Sequence, residues 1–63
     1  MSKKTPYVVA LKDSRPGQPI KPGKELGKYR AQEFADRDFH KLAKRAGVES
    51  WHVGIFLNGE LVS

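Results

Sequence analysis

The sequence predicts a small α+β domain: a mainly antiparallel sheet of three to four strands, in the order β–loop–(β)–α–β–β, with one helix packed on one face. Three stretches carry this. Tyr7-Val-Val-Ala-Leu11 is a β-branched run led by an aromatic, as strands favour. Phe39, Leu42, Ala43 and Ala46 fall at i, i+3, i+4 and i+7, a single apolar stripe on a helix. The final thirteen residues, WHVGIFLNGELVS, alternate apolar and other residues around Asn58-Gly59, the strongest two-residue hairpin signal because both positions need positive φ.

Residues 1–4 form a short basic tail expected to be mobile. In the first strand Tyr7, Val9 and Leu11 share one face and Val8 and Ala10 the other. Both faces are apolar, so the strand belongs in the centre of the sheet. Residues 13–27 read as a Pro/Gly-rich basic loop, since proline removes an amide donor and glycine adds entropy. Residues 28–34, KYRAQEF, fit either a strand or the first turns of a longer helix. The strand reading hides more aromatics and is preferred, although Ala31, Ala35, Phe39, Leu42 and Ala46 would share a helical face.

The helix is placed at 36–46, with Asp36 as N-cap and Asp38 in the first turn. Lys41, Lys44 and Arg45 suit its C-terminal end, and Gly47 stops it in a left-handed cap that Val48 closes on Ala43. Residues 50–63 form the terminal hairpin. Trp51, Val53, Ile55 and Leu57 lie on one face, His52, Gly54 and Phe56 on the other, and Leu57 faces Glu60, Phe56 faces Leu61 and Ile55 faces Val62.

Sixty-three residues make one domain, spanning 1–63, and a chain this short buries only about 60% of its unfolded surface. With no cysteine there are no disulfides or thiolate metal sites, and two histidines do not complete a tetrahedral zinc site. No metal or cofactor is expected. No run approaches the roughly 20 apolar residues of a membrane span, and the apolar stretch after the N-terminal lysines is too short for a signal peptide. The sequence therefore reads as an unprocessed, soluble, cytoplasmic protein that contacts no membrane. Its net charge of +5 favours polyanionic partners: nucleic acid or an acidic protein face.

Catalytic equipment is missing. Glu33, Asp36, Asp38, His40 and His52 are the only acid–base candidates, the aspartates have a capping explanation, and Gly17, Gly23 and Gly27 do not form a phosphate loop. The protein is expected to be a binder and not an enzyme. The candidate partner- or phosphate-binding residues are the helix stripe Arg37, His40, Lys41 and Lys44, with Arg15, Lys21, Lys24, Lys28 and Arg30 from the loop and the segment after it. A solvated helix face looks much the same, so the stripe gains weight only if loop and helix cations share a side. Tyr29 and Phe56 are candidate stacking aromatics, and Phe56 has core packing as its more ordinary fate. Overlapping P-x-x-P-x-basic patterns at Pro16–Lys21 and Pro19–Lys24 read as a stiff polyproline connector.

The terminal strand is short, which leaves Ile55 to Leu57 open as a template for another chain. Phe56, Glu60, Leu61 and Val62 are the corresponding edge contacts, serving a partner or a homodimer. Because acidic residues are interspersed with the basic ones, a protein–protein modulator or inhibitor is favoured. It would be an accessory factor of the phage or plasmid sort, docking its basic surface and sheet edge on an acidic face of a larger protein. The alternative is a nucleic-acid-binding module whose helix and loop cations contact the phosphate backbone.

Overall fold

Among the residues described by the computed structural model, 4–63, the strands Tyr7–Asp13 (β1), Lys21–Tyr29 (β2), Val53–Leu57 (β3) and Glu60–Leu61 (β4) form one antiparallel sheet in the order β2-β1-β3-β4. The helix Gln32–Ala46 (α1) packs on it. This is the α+β fold class that the sequence predicts. Residues 1–3 of the basic tail lie outside the described residues. β1 is central, as its two apolar faces require: Val9 and Ala10 point to opposite sides and both are fully buried.

Three expectations need correction. The first concerns residues 13–27, where the Pro/Gly-rich loop is confined to 14–20 and the chain from Lys21 onward is a strand. Proline excludes a central strand, but β2 is an edge strand, and Pro22 sits in it without breaking a ladder on both sides. Nine residues of β2 accompany seven of β1, with register shifts between Val9 and Ala10 and between Ala10 and Lys12. Each extra residue bends the strand and increases its twist.

The second correction concerns 28–34 and the helix start. Lys28 and Tyr29 end β2, and the helix begins at Gln32, not at Asp36. Ala31 is the N-cap and offers no side-chain hydrogen bond, so the capping signal at Asp36 pointed to the wrong turn. Packing decided the matter: helical continuation puts Ala35 at zero exposure in the core. The C-terminal end is as predicted. Gly47 adopts φ 75°, and its amide and that of Val48 bond the carbonyls of Lys44 and Ala43.

The third concerns the terminal hairpin. Ser50–His52 is a 3-10 turn, so Trp51 and His52 are not in the strand and do not follow its alternation. Trp51 is 68% exposed, whereas Phe56 is 1% exposed. The turn itself is as expected, with Asn58 at φ 54° and Gly59 at φ 86°, Leu57 opposite Glu60 and Phe56 opposite Leu61. Beyond them the pairing widens, and Val62 and Ser63 both donate to the Ile55 carbonyl while the Ile55 amide donates to the Ser63 carbonyl. The expected opening at Ile55 is therefore closed by the chain's own last residues.

Both faces of the sheet carry buried side chains. Val9, Val53 and Ile55 meet Ala35, Leu42 and Ala43 under the helix, with Tyr7, Leu11, Leu26, Tyr29, Phe39 and Val48 around them. Gly27 admits Leu42, whose Cδ1 would lie 3.2 Å from a Cβ there. Phe56 points to the other face, level with Val8 and Leu61. Among the described residues no helix covers that side. Instead, parts of the edge strands β2 and β4 approach within 8 Å although two strands lie between them. The helix fills one face, so the curl closes over the other and encloses Phe56.

Gly54 is part of this enclosure. A Cβ there would stand 2.6 Å from Leu61 Cδ1, 3.1 Å from Lys12 Cε and 3.3 Å from Phe56 Cε1. Leu61 and the Lys12 stem use the space that a side chain would take. Gly54→Val should displace Leu61 and lower the unfolding free energy by about 1–3 kcal/mol, measured by urea denaturation.

Candidate phosphate-binding site

The end of β2 and the first half of α1 meet at an open recess of about 320 Å³ lined by Thr5, Lys28, Tyr29, Arg30, Phe34 and Arg37. Local chain geometry explains the convergence. Lys28 and Tyr29 leave the sheet, Arg30 and Ala31 turn the chain, and the helix that starts at Gln32 brings Phe34 and Arg37 back beside the strand end. The guanidinium carbons of Arg30 and Arg37 each lie 5.4 Å from the centre of the Phe34 ring. At that distance the ring quadrupole attracts a cation and restrains it. A guanidinium attracted to a ring still has N–H groups free to grip phosphate oxygens in pairs.

Tyr29 supports the wall from below. Its hydroxyl donates to Asp38 Oδ2 at 3.0 Å, linking strand end to helix. Burial raises the Tyr29 pKa above its ordinary value, and the hydrogen bond to Asp38 and the negative charge of that carboxylate raise it further, so the hydroxyl stays a donor. Asp38 also approaches Arg37 Nε at 3.8 Å, and Lys28 approaches Glu25 at 3.9 Å. Both pairs involve well-exposed cations (72% for Arg37, 57% for Lys28), so water and salt screen them and an arriving polyanion can compete. Asp36, the expected cap, is simply exposed on the helix.

The other candidates are distributed more widely. His40, Lys41 and Lys44 are exposed along α1, and the His40 ring meets Phe39 edge-on at 5.5 Å. Arg15 and Lys21 line a different recess of about 230 Å³ at the β1–β2 loop, with Asp13, Gln18 and Pro19, and there Arg15 approaches Asp13 at 3.7 Å. Lys24 is exposed on β2 and lines neither recess. The loop and helix cations thus share a side only in part: Lys28 and Arg30 join Arg37, and Arg15 and Lys21 do not.

Of the edge contacts, Glu60 and Val62 are exposed and Leu61 is half-buried. Phe56 is withdrawn into the interior and offers no side chain to a partner. Phe34 is the residue of this recess that the sequence does not single out as a site candidate. Arg37 follows it at i+3, a spacing that has meaning only once 32–46 is helical, and Arg30 reaches it from the turn before the helix. Among the described residues no group of His, Asp and Glu is placed to hold a metal ion, and no helix is long and apolar enough to cross a membrane. Comparison with protein-family models, with curated proteins and with solved structures finds no match to this chain.

Proposed function

We propose that this chain is a non-enzymatic nucleic-acid-binding protein that grips the phosphate backbone with Lys28, Arg30 and Arg37. The observation that carries this reading is the convergence of three cations, from the end of β2, the turn after it and α1, on one aromatic recess, with both guanidiniums over Phe34. A solvated helix face accounts for exposed lysines spaced along a helix, but gives no reason for like charges from a strand end and a helix to gather. Glu25 and Asp38 offset part of that repulsion through exposed pairs, and an anion between the cations relieves the rest. Phosphate matches the guanidinium fork and supplies the charge.

Docking on an acidic protein face would use the same cations. The sheet-edge half of that reading is weakened, since Phe56 is buried and Ile55 is paired by Val62 and Ser63. Salt dependence separates the two. Fluorescence anisotropy of labelled DNA and RNA strands should show binding at near-physiological salt whose logarithm falls linearly with the logarithm of salt concentration, at about 0.7 per phosphate contacted on a single strand. Binding seen only at low salt would sink the nucleic-acid reading and return the protein-partner reading to first place.

A further inference from the structure

We infer that Trp51, stacked on His52, is a base-stacking platform that makes the chain select single-stranded over double-stranded nucleic acid. This rests on the phosphate-binding reading above. Large apolar side chains are ordinarily interior, and in this chain of scarce core Trp51 is 68% exposed. Its ring is nevertheless held in place. The imidazole of His52 lies against it with centroids 3.7 Å apart and planes 29° from parallel. One face of the indole is occupied and, at that exposure, the opposite face is presented to solvent.

The base beneath it is fixed as well. The 3-10 turn is closed by the His52 amide on the Glu49 carbonyl at 3.0 Å and by the Val53 amide on the Ser50 carbonyl, and Val53 itself is 1% exposed in the core. Ordering the ring for a ligand therefore costs little side-chain entropy.

A flat ligand suits this arrangement better than a protein surface does. Protein hot spots sit within a packed ring of contacts that excludes water. The only other exposed large hydrophobic residue among those described is Val62, at 41%, so no broad apolar patch accompanies the indole. A nucleobase needs no such surround, because every base has a π-face to stack.

Charge leads to the same end of the molecule. The 3-10 turn contacts α1, whose exposed Arg37, Lys41 and Lys44 run from the recess toward the helix C-terminus, about 10 Å along the axis from Arg37 to Lys44. Phosphates following those cations bring a strand toward Trp51. In a duplex the bases are already stacked and cannot be offered to it, whereas a single strand has them free.

Trp51 is the only tryptophan, so the intrinsic fluorescence of the full chain reports this ring alone. The chain is titrated with a short oligodeoxythymidine, an abasic strand of equal length, a duplex, and polyglutamate. Quenching by the thymidine strand only, with affinity about tenfold or more above the abasic strand, is the expected result. Trp51→Ala should bring the two strands to near-equal affinity, and Trp51→Phe should keep most of the preference. Equal affinity of wild type for thymidine and abasic strands, without quenching, overturns the platform and leaves the phosphate reading standing. Failure of every strand to bind at near-physiological salt overturns both. Quenching by polyglutamate alone overturns both in favour of an acidic protein partner.

Discussion

Phe56→Ala should unfold this domain or come close to it. Truncating a fully buried phenylalanine removes about 3–5 kcal/mol, from the lost transfer energy and from the cavity left behind. Whole domains are stable by only about 5–15 kcal/mol, and a chain of this length with no disulfide has little reserve. In a domain of this size each kcal/mol shifts the midpoint by about 4–8 °C, so the thermal transition should fall by at least ~12 °C or lose its cooperativity. Phe56 is 1% exposed on the face without a helix, where Val8 and Leu61 are its cross-strand neighbours and the Gly54 gap admits the Leu61 side chain. Circular dichroism melting of the variant beside Trp51→Ala makes the comparison sharp. The tryptophan lies five residues earlier in the sequence and is larger, yet as an exposed ring it should cost no more than about 0.5 kcal/mol. Similar melting points for the two variants would mean that the second face is not enclosed.

Reversing Arg30 and Arg37 to Glu should abolish nucleic-acid binding at near-physiological salt while leaving the melting curve close to wild type. Both side chains are exposed and neither carries a buried hydrogen bond, so the fold loses only the cation–π contacts to Phe34 and the exposed, screened ion pair of Arg37 with Asp38. Binding loses two phosphate contacts, so the salt slope for a single strand should fall by about 1.4. It also gains two repulsive carboxylates, and the affinity should drop by about a hundredfold or more. Arg15→Glu with Lys21→Glu is the matched control, because it takes the net charge from +5 to the same +1 at the separate recess by the β1–β2 loop. The control should keep most of the affinity. Equal losses in the two double variants would show that net charge alone governs binding and that the recess around Phe34 has no special part in it.

These two expectations draw on different levels of information. Burial of Phe56 was foreseeable as the ordinary fate of a large apolar side chain, but the means were not. Its cover comes from a curl of the sheet, and the curl accompanies two register shifts in β2 that the sequence shows only as scattered prolines and glycines. For the same reason the site was visible in pieces. Lys28, Arg30 and Arg37 stood out as cations, yet their meeting depends on where β2 ends and where α1 begins. Those boundaries are hidden in the sequence because Ala31 carries no capping side chain and Asp36 does.

What the sequence determined by itself was short-ranged. Gly47 ends the helix and Asn58-Gly59 turns the hairpin, because positive φ is easy for glycine and tolerable for asparagine whatever surrounds them. The two apolar faces of Tyr7–Leu11 likewise require a central strand. Tertiary structure decided the rest: that 21–29 is a strand, that 32–35 is helix, and that Trp51 stays out while Phe56 goes in. Residues distant in sequence settle these outcomes, through the pairing of 21–29 with β1 and through burial of Ala35 with Val9 and Ile55 and of Phe56 on the other face. Such contacts outweigh local preferences worth about 1 kcal/mol or less.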